Sequence, residues 1–214
     1  MGATTDAGVR AALATASWIA PAEQDVPPAG QRPAYLLRGR FTASVGTSAR
    51  LAATAHGIYE LFLNGVRVGD KELTPGFSAY RKRLEVQTYD VGDLLVEGEN
   101  TLVALLSDGW FRGRHGFERR ADGFGTRTAL LAGVIGEDDL PLLVTDGSWT
   151  SRPSHITRAD LMDGQAVDFT ALDPAWFTGG GEGWAPVTVT EDDPLCAVRG
   201  RLVAPMAPDV RRIE

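Results

Sequence analysis

IYELFLNGVRVGDKELTPGFSAYRKRLEVQTYDVGDLLVEGENTLVALLSDGWFRGRHG, residues 58–116, is the stretch that decides the fold. Tyr59-Glu60-Leu61-Phe62-Leu63 runs into Asn64-Gly65, a two-residue turn that favours positive φ at both central positions and closes a tight hairpin. Val66 to Asp70 is the return strand. Leu84 to Tyr89 alternates apolar and polar residues, the pattern of a half-buried strand. Asp90, with Asp93 three residues on, predicts a cap over a single helical turn. Gly98-Glu99-Asn100 then reverses the chain into Thr101 to Leu106, an apolar run of strand length that predicts a central strand buried on both faces. Short strands, turns at regular intervals and almost no helical periodicity predict an all-β fold, an antiparallel two-sheet β-sandwich.

Working outward, further strands are expected at Tyr35 to Phe41, Ala49 to Ala55, Thr128 to Ile135, Leu140 to Thr145 and Ile156 to Leu161. The small residues of the second of these suit a strand packed closely beneath a partner layer. Residues 1–16 are expected to be a flexible lead, either a frayed helix or disordered, 17–200 the sandwich, and 201–214 a Pro-punctuated linker. Between Asp173 and Asp193 the composition shifts to Gly, Pro, Trp and acids, which predicts a long surface loop.

Composition narrows the function classes. With 28 acidic against 21 basic residues the net charge is −7, which argues against a nucleic-acid groove and reads Arg81-Lys82-Arg83 and the arginines of 112–120 as solvated faces or local ion pairs. One cysteine, Cys196, excludes an internal disulfide and the paired-Cys metal spacings. No apolar run approaches the roughly 18 residues of a membrane span, and the Ala-rich N-terminus makes a poor signal peptide, so a cytoplasmic protein is expected. His56, His115 and His155 lie too far apart in sequence to suggest zinc.

Sugar recognition uses aromatic faces stacked on a pyranose, flanked by side chains that hydrogen-bond its hydroxyls. Asp108, Trp110, Arg112, Arg114 and His115 offer that mixture in a Gly-bounded loop after the central strand, and are the candidate ligand-binding residues. Trp110 after Asp-Gly reads first as a plug closing one end of the core and only second as a ligand platform. Glycoside hydrolysis by the usual route needs two carboxylates about 5–9.5 Å apart. Asp90/Asp93 and Glu97/Glu99 are better explained as capping and turn acids, so no catalytic residue is assigned.

Several blocks, in order, resemble the N-terminal β-sandwich of bacterial α-L-rhamnosidases. They are Ser17-Trp18-Ile19, the Asn64-Gly65 hairpin with Arg67-Val68-Gly69-Asp70, Pro75-Gly76-Phe77-Ser78, Gln87-Thr88-Tyr89-Asp90-Val91, Asp108-Gly109-Trp110-Phe111-Arg112-Gly113, Asp146-Gly147-Ser148-Trp149 and Asp160-Leu161-Met162-Asp163-Gly164. The resemblance spans Trp18 to Glu214. It implies a jelly-roll, galactose-binding-like sandwich, non-catalytic in itself, with the rhamnosidase chemistry carried by a helical (α/α) barrel following Glu214. It also implies L-rhamnose or rhamnosides as ligands, with calcium as the one cofactor to consider; a purely structural or interaction module is the alternative. Asp163-Gly164-Gln165-Ala166-Val167-Asp168 departs from the family's Asp-Gly-Glu-x-Tyr-Asp pattern, which counts against a shared ligand role there.

Overall fold

The structure is a computed structural model that describes residues 6–23, 25–190, 201–204 and the backbone of 210–211. Its elements follow in order: α1 (Asp6–Thr15), β1 (Ile19–Ala20), β2 (Tyr35–Ala43), β3 (Arg50–His56), β4 (Ile58–Leu63), β5 (Val66–Arg67), β6 (Lys71–Glu72), β7 (Arg83–Glu85), β8 (Gln87–Asp90) and β9 (Gly98–Ser107). After β9 come α2 (Gly109–Arg112), β10 (Ala129–Ile135), β11 (Pro141–Val144), β12 (Thr150–Pro153), β13 (Ile156–Asp160), β14 (Gly164–Val167), β15 (Ala185–Pro186), β16 (Thr188–Val189), β17 (Arg201–Val203) and β18 (Val210–Arg211).

Two antiparallel sheets face each other. One has the order β16-β1-β10-β3-β8, with β11 beside β10; the other has the order β15-β12-β2-β9-β4-β5. The core between them takes alternate residues from each strand: Leu51, Ala53 and Ala55 of β3 with Leu130, Ala132 and Val134 of β10, against Tyr59, Leu61 and Leu63 of β4 and Leu102, Ala104 and Leu106 of β9. This period of two is what the sequence of β4 announces. Trp149 plugs the layer, 1% exposed, with its indole directly over Gly39, where a Cβ would lie 2.3 Å from the ring.

Each sheet is also covered outside, which explains why β9 and β3 read as continuous apolar or small-residue runs. Leu36 and Val103 point away from the central core and pack on Trp176. On the other sheet Ala52, Leu131 and Ile135 pack on Val9, Ala12 and Leu13 of α1. Over its described residues the lead takes the helical form: the apolar i, i+3, i+4 spacing of Val9, Ala12 and Leu13 buries one helix face, about 1.5–3 kcal/mol for each of Val9 and Leu13.

The Asn-Gly hairpin is as expected, with φ of 52° at Asn64 and 85° at Gly65. Asn64 does more than turn the chain. Its Nδ2 donates to the Leu94 carbonyl and to Asn100 Oδ1, and its Oδ1 accepts from the Thr101 amide.

Four expectations are corrected. Asp90 does not cap: the short 3-10 turn Gly92–Leu94 starts from Val91 with no side-chain cap, and Asp90 instead faces Arg50 at 3.6 Å. The run from Leu84 to Tyr89 breaks into β7 and β8, with Glu85 and Gln87 buried; Gln87 is satisfied by the Tyr59 hydroxyl and the Pro75 carbonyl. The segment after Asp173 is not simply loop: Asp173 caps a 3-10 helix, Pro174–Thr178, that buries Trp176. The C-terminal segment is not a free linker, because β17 pairs in parallel with β7 and β18 antiparallel with β6. Cys196 lies outside the described residues, as do Asp192-Asp193, acids whose oxygens are of the kind calcium takes.

Candidate functional site

The β9–β10 connection carries all five candidate ligand residues. It begins at Asp108, turns through α2 and returns at Thr128. Asp108 and Arg112, one helical turn apart, both point inward. Arg112 has no exposed side-chain surface and pairs with Glu23 at 2.8 Å and with Asp108 at 3.5 Å. Arg32 reaches Asp108 at 3.2 Å and grips Asp122 through two hydrogen bonds of 2.9 and 3.2 Å. Burial raises the Asp108 carboxyl to about 6, against the opposing pull of Arg112 and then Arg32. Three carboxylates and two guanidiniums thus form an internal network; removing one member of such a network leaves its partner's charge uncompensated.

The rest of the loop is bolted to the β13–β14 hairpin. Arg114 and Arg119 both pair with Asp163, while Asp160 accepts the amides of Arg114, Met162 and Asp163. His115 stacks on Phe124 with ring centres 5.4 Å apart. Trp110 is half-buried, edge-on to Phe77 at 6.3 Å. His56 lies between Trp18 and Phe111, parallel to both rings at 4.0 and 4.4 Å. The structure therefore brings the five residues into one loop, yet Asp108 and Arg112 serve the interior and Arg114 holds a neighbouring hairpin.

A different feature offers space for a ligand. Between the β4–β9 edge and the β13–β14 hairpin lies a cleft of about 360 Å³, lined in part by Ile58, Glu60, Glu72, Leu73, Asp160 and Gln165. That size falls at the lower end of small-molecule pockets. Its walls combine apolar side chains with carboxylate and amide groups able to meet hydroxyls. Arg67 fixes Glu60 and Glu72 at 3.4 and 3.1 Å. None of the five predicted residues lines the cleft, although Gly109 between them does. Sequence spacing could not find it, because its walls come from β4, β6, β9 and the β13–β14 hairpin.

The family resemblance implies calcium without assigning it ligands in this chain. Among the described residues no three His, Cys, Asp or Glu side chains are placed to hold a metal, and both oxygens of Asp160 are engaged by backbone amides. The tryptophans of the Gly-rich segment are likewise engaged on their own sheet: Arg152 lies over Trp176 at 3.8 Å and Arg38 over Trp184 at 4.3 Å.

Fold and site together define a β-sandwich module in which Asp108, Arg112 and Arg32 serve the interior and a sugar-sized cleft lies between the β4–β9 pair and the β13–β14 hairpin. The chain belongs to the alpha-L-rhamnosidase N-terminal domain family, whose model matches residues 45–214. It is 36% identical over 195 residues to an alpha-L-rhamnosidase of Streptomyces avermitilis, an alignment covering 88% of this chain and 19% of that protein. The native alpha-L-rhamnosidase structure from Aspergillus terreus superposes with a TM-score of 0.82 at 30% identity, over 94% of this chain and 24% of that one. The Streptomyces avermitilis enzyme complexed with L-rhamnose gives a TM-score of 0.75 at 32% identity, over 85% of this chain and 18% of that one. The chain thus spans about one fifth of the length of these relatives.

Proposed function

We propose that this chain is the non-catalytic β-sandwich module of an α-L-rhamnosidase acting on rhamnosylated glycosides, and that it supports a catalytic domain borne by the same polypeptide. The observation that carries this reading is the alignment of 88% of the chain with only 19% of an alpha-L-rhamnosidase. Hydrolysis of the rhamnoside bond requires a pair of carboxylates aimed at one sugar, whereas Asp108, Asp122, Asp160 and Asp163 are spent on arginines and backbone amides. Assay of the purified chain with an aryl rhamnoside should give no turnover; turnover by this chain alone overturns the proposal.

The finer part of the reading is that the module, of the galactose-binding-like jelly-roll kind, offers its 360 Å³ cleft to L-rhamnose. Titration calorimetry with L-rhamnose, with and without calcium, tests it, and Gln165→Ala should weaken any heat observed. Absence of heat in both conditions favours the second reading, a purely structural module. The engagement of Asp108, Arg112 and Arg114 in internal ion pairs supports that alternative.

A further inference from the structure

From the loop between β6 and β7 we infer a docking face, centred on Phe77, bordered by Leu73 where it meets the cleft and rimmed by Arg81, Lys82 and Arg83, that seats an acidic surface of the domain following this one in the rhamnosidase polypeptide beside the cleft rather than over it. The inference rests on the reading that the sandwich is one module of a longer chain. Three observations carry it.

The first is apolar exposure under constraint. Phe77 is 57% exposed and Leu73 38%, although both sit on a well-packed base. Phe77 meets Tyr80 at 5.8 Å, Phe124 at 6.0 Å and Trp110 at 6.3 Å, all edge-on, so its position is defined while its outer face stays bare. Leu73 has a φ of +56°, a left-handed conformation costly for a residue with a Cβ, and its neighbour Thr74 is locked to the Tyr59 backbone on both sides. Held outward on a packed base, these two side chains supply the apolar part of the inferred face.

The second is charge. In a chain of net charge −7, three consecutive cations occupy the end of this loop, all exposed, and none pairs with a described acidic residue. An apolar centre with a basic rim selects a partner whose facing surface is acidic.

The third is chain direction. β17 runs beside β7, placing Arg201 opposite Arg83, and β18 runs beside β6, placing Val210 opposite Glu72. The C-terminal segment therefore flanks both ends of the loop: its backbone meets β6 opposite Glu72, the neighbour of Leu73, and runs on past Lys71, so a polypeptide continuing from it leaves at the β6 end of the loop. A second copy of the chain would bring the same three cations against themselves, which disfavours a symmetric contact.

Hydroxyl-radical labelling, read by mass spectrometry, tests the face in the full-length polypeptide beside the 214-residue chain. Phe77 and Leu73 should lose labelling severalfold in the longer protein, while Phe169, 75% exposed and away from this loop in sequence, stays unchanged. The triple charge reversal R81E/K82E/R83E, confined to exposed side chains, should restore Phe77 labelling in the longer protein. Equal labelling of Phe77 in both proteins overturns the inference, as does protection already present in the 214-residue chain that disappears on dilution, which would make a second copy the occupant. A full-length protein that cleaves rhamnosides but leaves Phe77 bare defeats the docking face alone. One that has no rhamnosidase activity defeats the module reading beneath it.

Discussion

Replacing Asp108 by Asn should change how stability depends on pH more than it changes the fold. The carboxyl sits between Arg32 and Arg112, 3% exposed, and burial outweighs both guanidiniums to raise it from 3.8 to about 6. A carboxyl that binds its proton more tightly when folded contributes stability that is fully present below its unfolded value and lost as pH rises through its folded value. The window is therefore about pH 4 to 6, and each unit corresponds to about 1.4 kcal/mol, so wild type should lose about 3 kcal/mol relative to Asp108→Asn between pH 4 and pH 8. Taking the difference between the two proteins cancels groups common to both, including His155, whose value burial moves downward and whose contribution has the opposite pH slope. Urea denaturation followed by tryptophan fluorescence at pH 4.5, 6 and 8 measures this. Parallel midpoints for the two proteins across that range refute the argument. Wild type gaining on the variant as pH rises would show that the guanidiniums, not burial, dominate.

Two further substitutions test the packing account. Asn64→Ala removes the residue best suited to left-handed φ together with three side-chain hydrogen bonds joining the hairpin to Leu94, Asn100 and Thr101, and should cost about 2–4 kcal/mol in chemical denaturation. Gly39→Ala introduces a methyl 2.3 Å from the Trp149 ring and should cost about 1–3 kcal/mol, with the double variant Gly39→Ala/Trp149→Phe recovering part of that loss.

The sandwich was legible in the sequence wherever one local rule governed. The alternation of β4, the Asn-Gly turn and the apolar run of β9 each follow from a period of two, a pair of positive φ angles or burial on both faces. The sequence misled where long-range partners decided. Glu85 and Gln87 look like solvent-facing positions of an alternating strand, yet Gln87 is drawn inside by Tyr59 and Pro75. α1 has only one turn's worth of apolar spacing and acquires its burial from β3 and β10. At the site, only Asp108 and Arg112 stand at a helical spacing that hints at a pair. Glu23, Arg32 and Asp122 join them across as many as 90 residues, a separation on which no local pattern bears. The same loop was therefore singled out for ligand binding when two of its charges were needed for the interior.

The strand order carries a consequence for biosynthesis. β1 sits between β10 and β16, and the Trp18 carbonyl just before it is held by Thr190, 172 residues later. At about 5–20 residues per second on the ribosome, the opening strand waits roughly 10–30 s before its outer neighbour has even been translated. Until then the outer edge of β1 stays open to passing chaperones, and a ribosome that stalls before residue 188 leaves that edge unsealed.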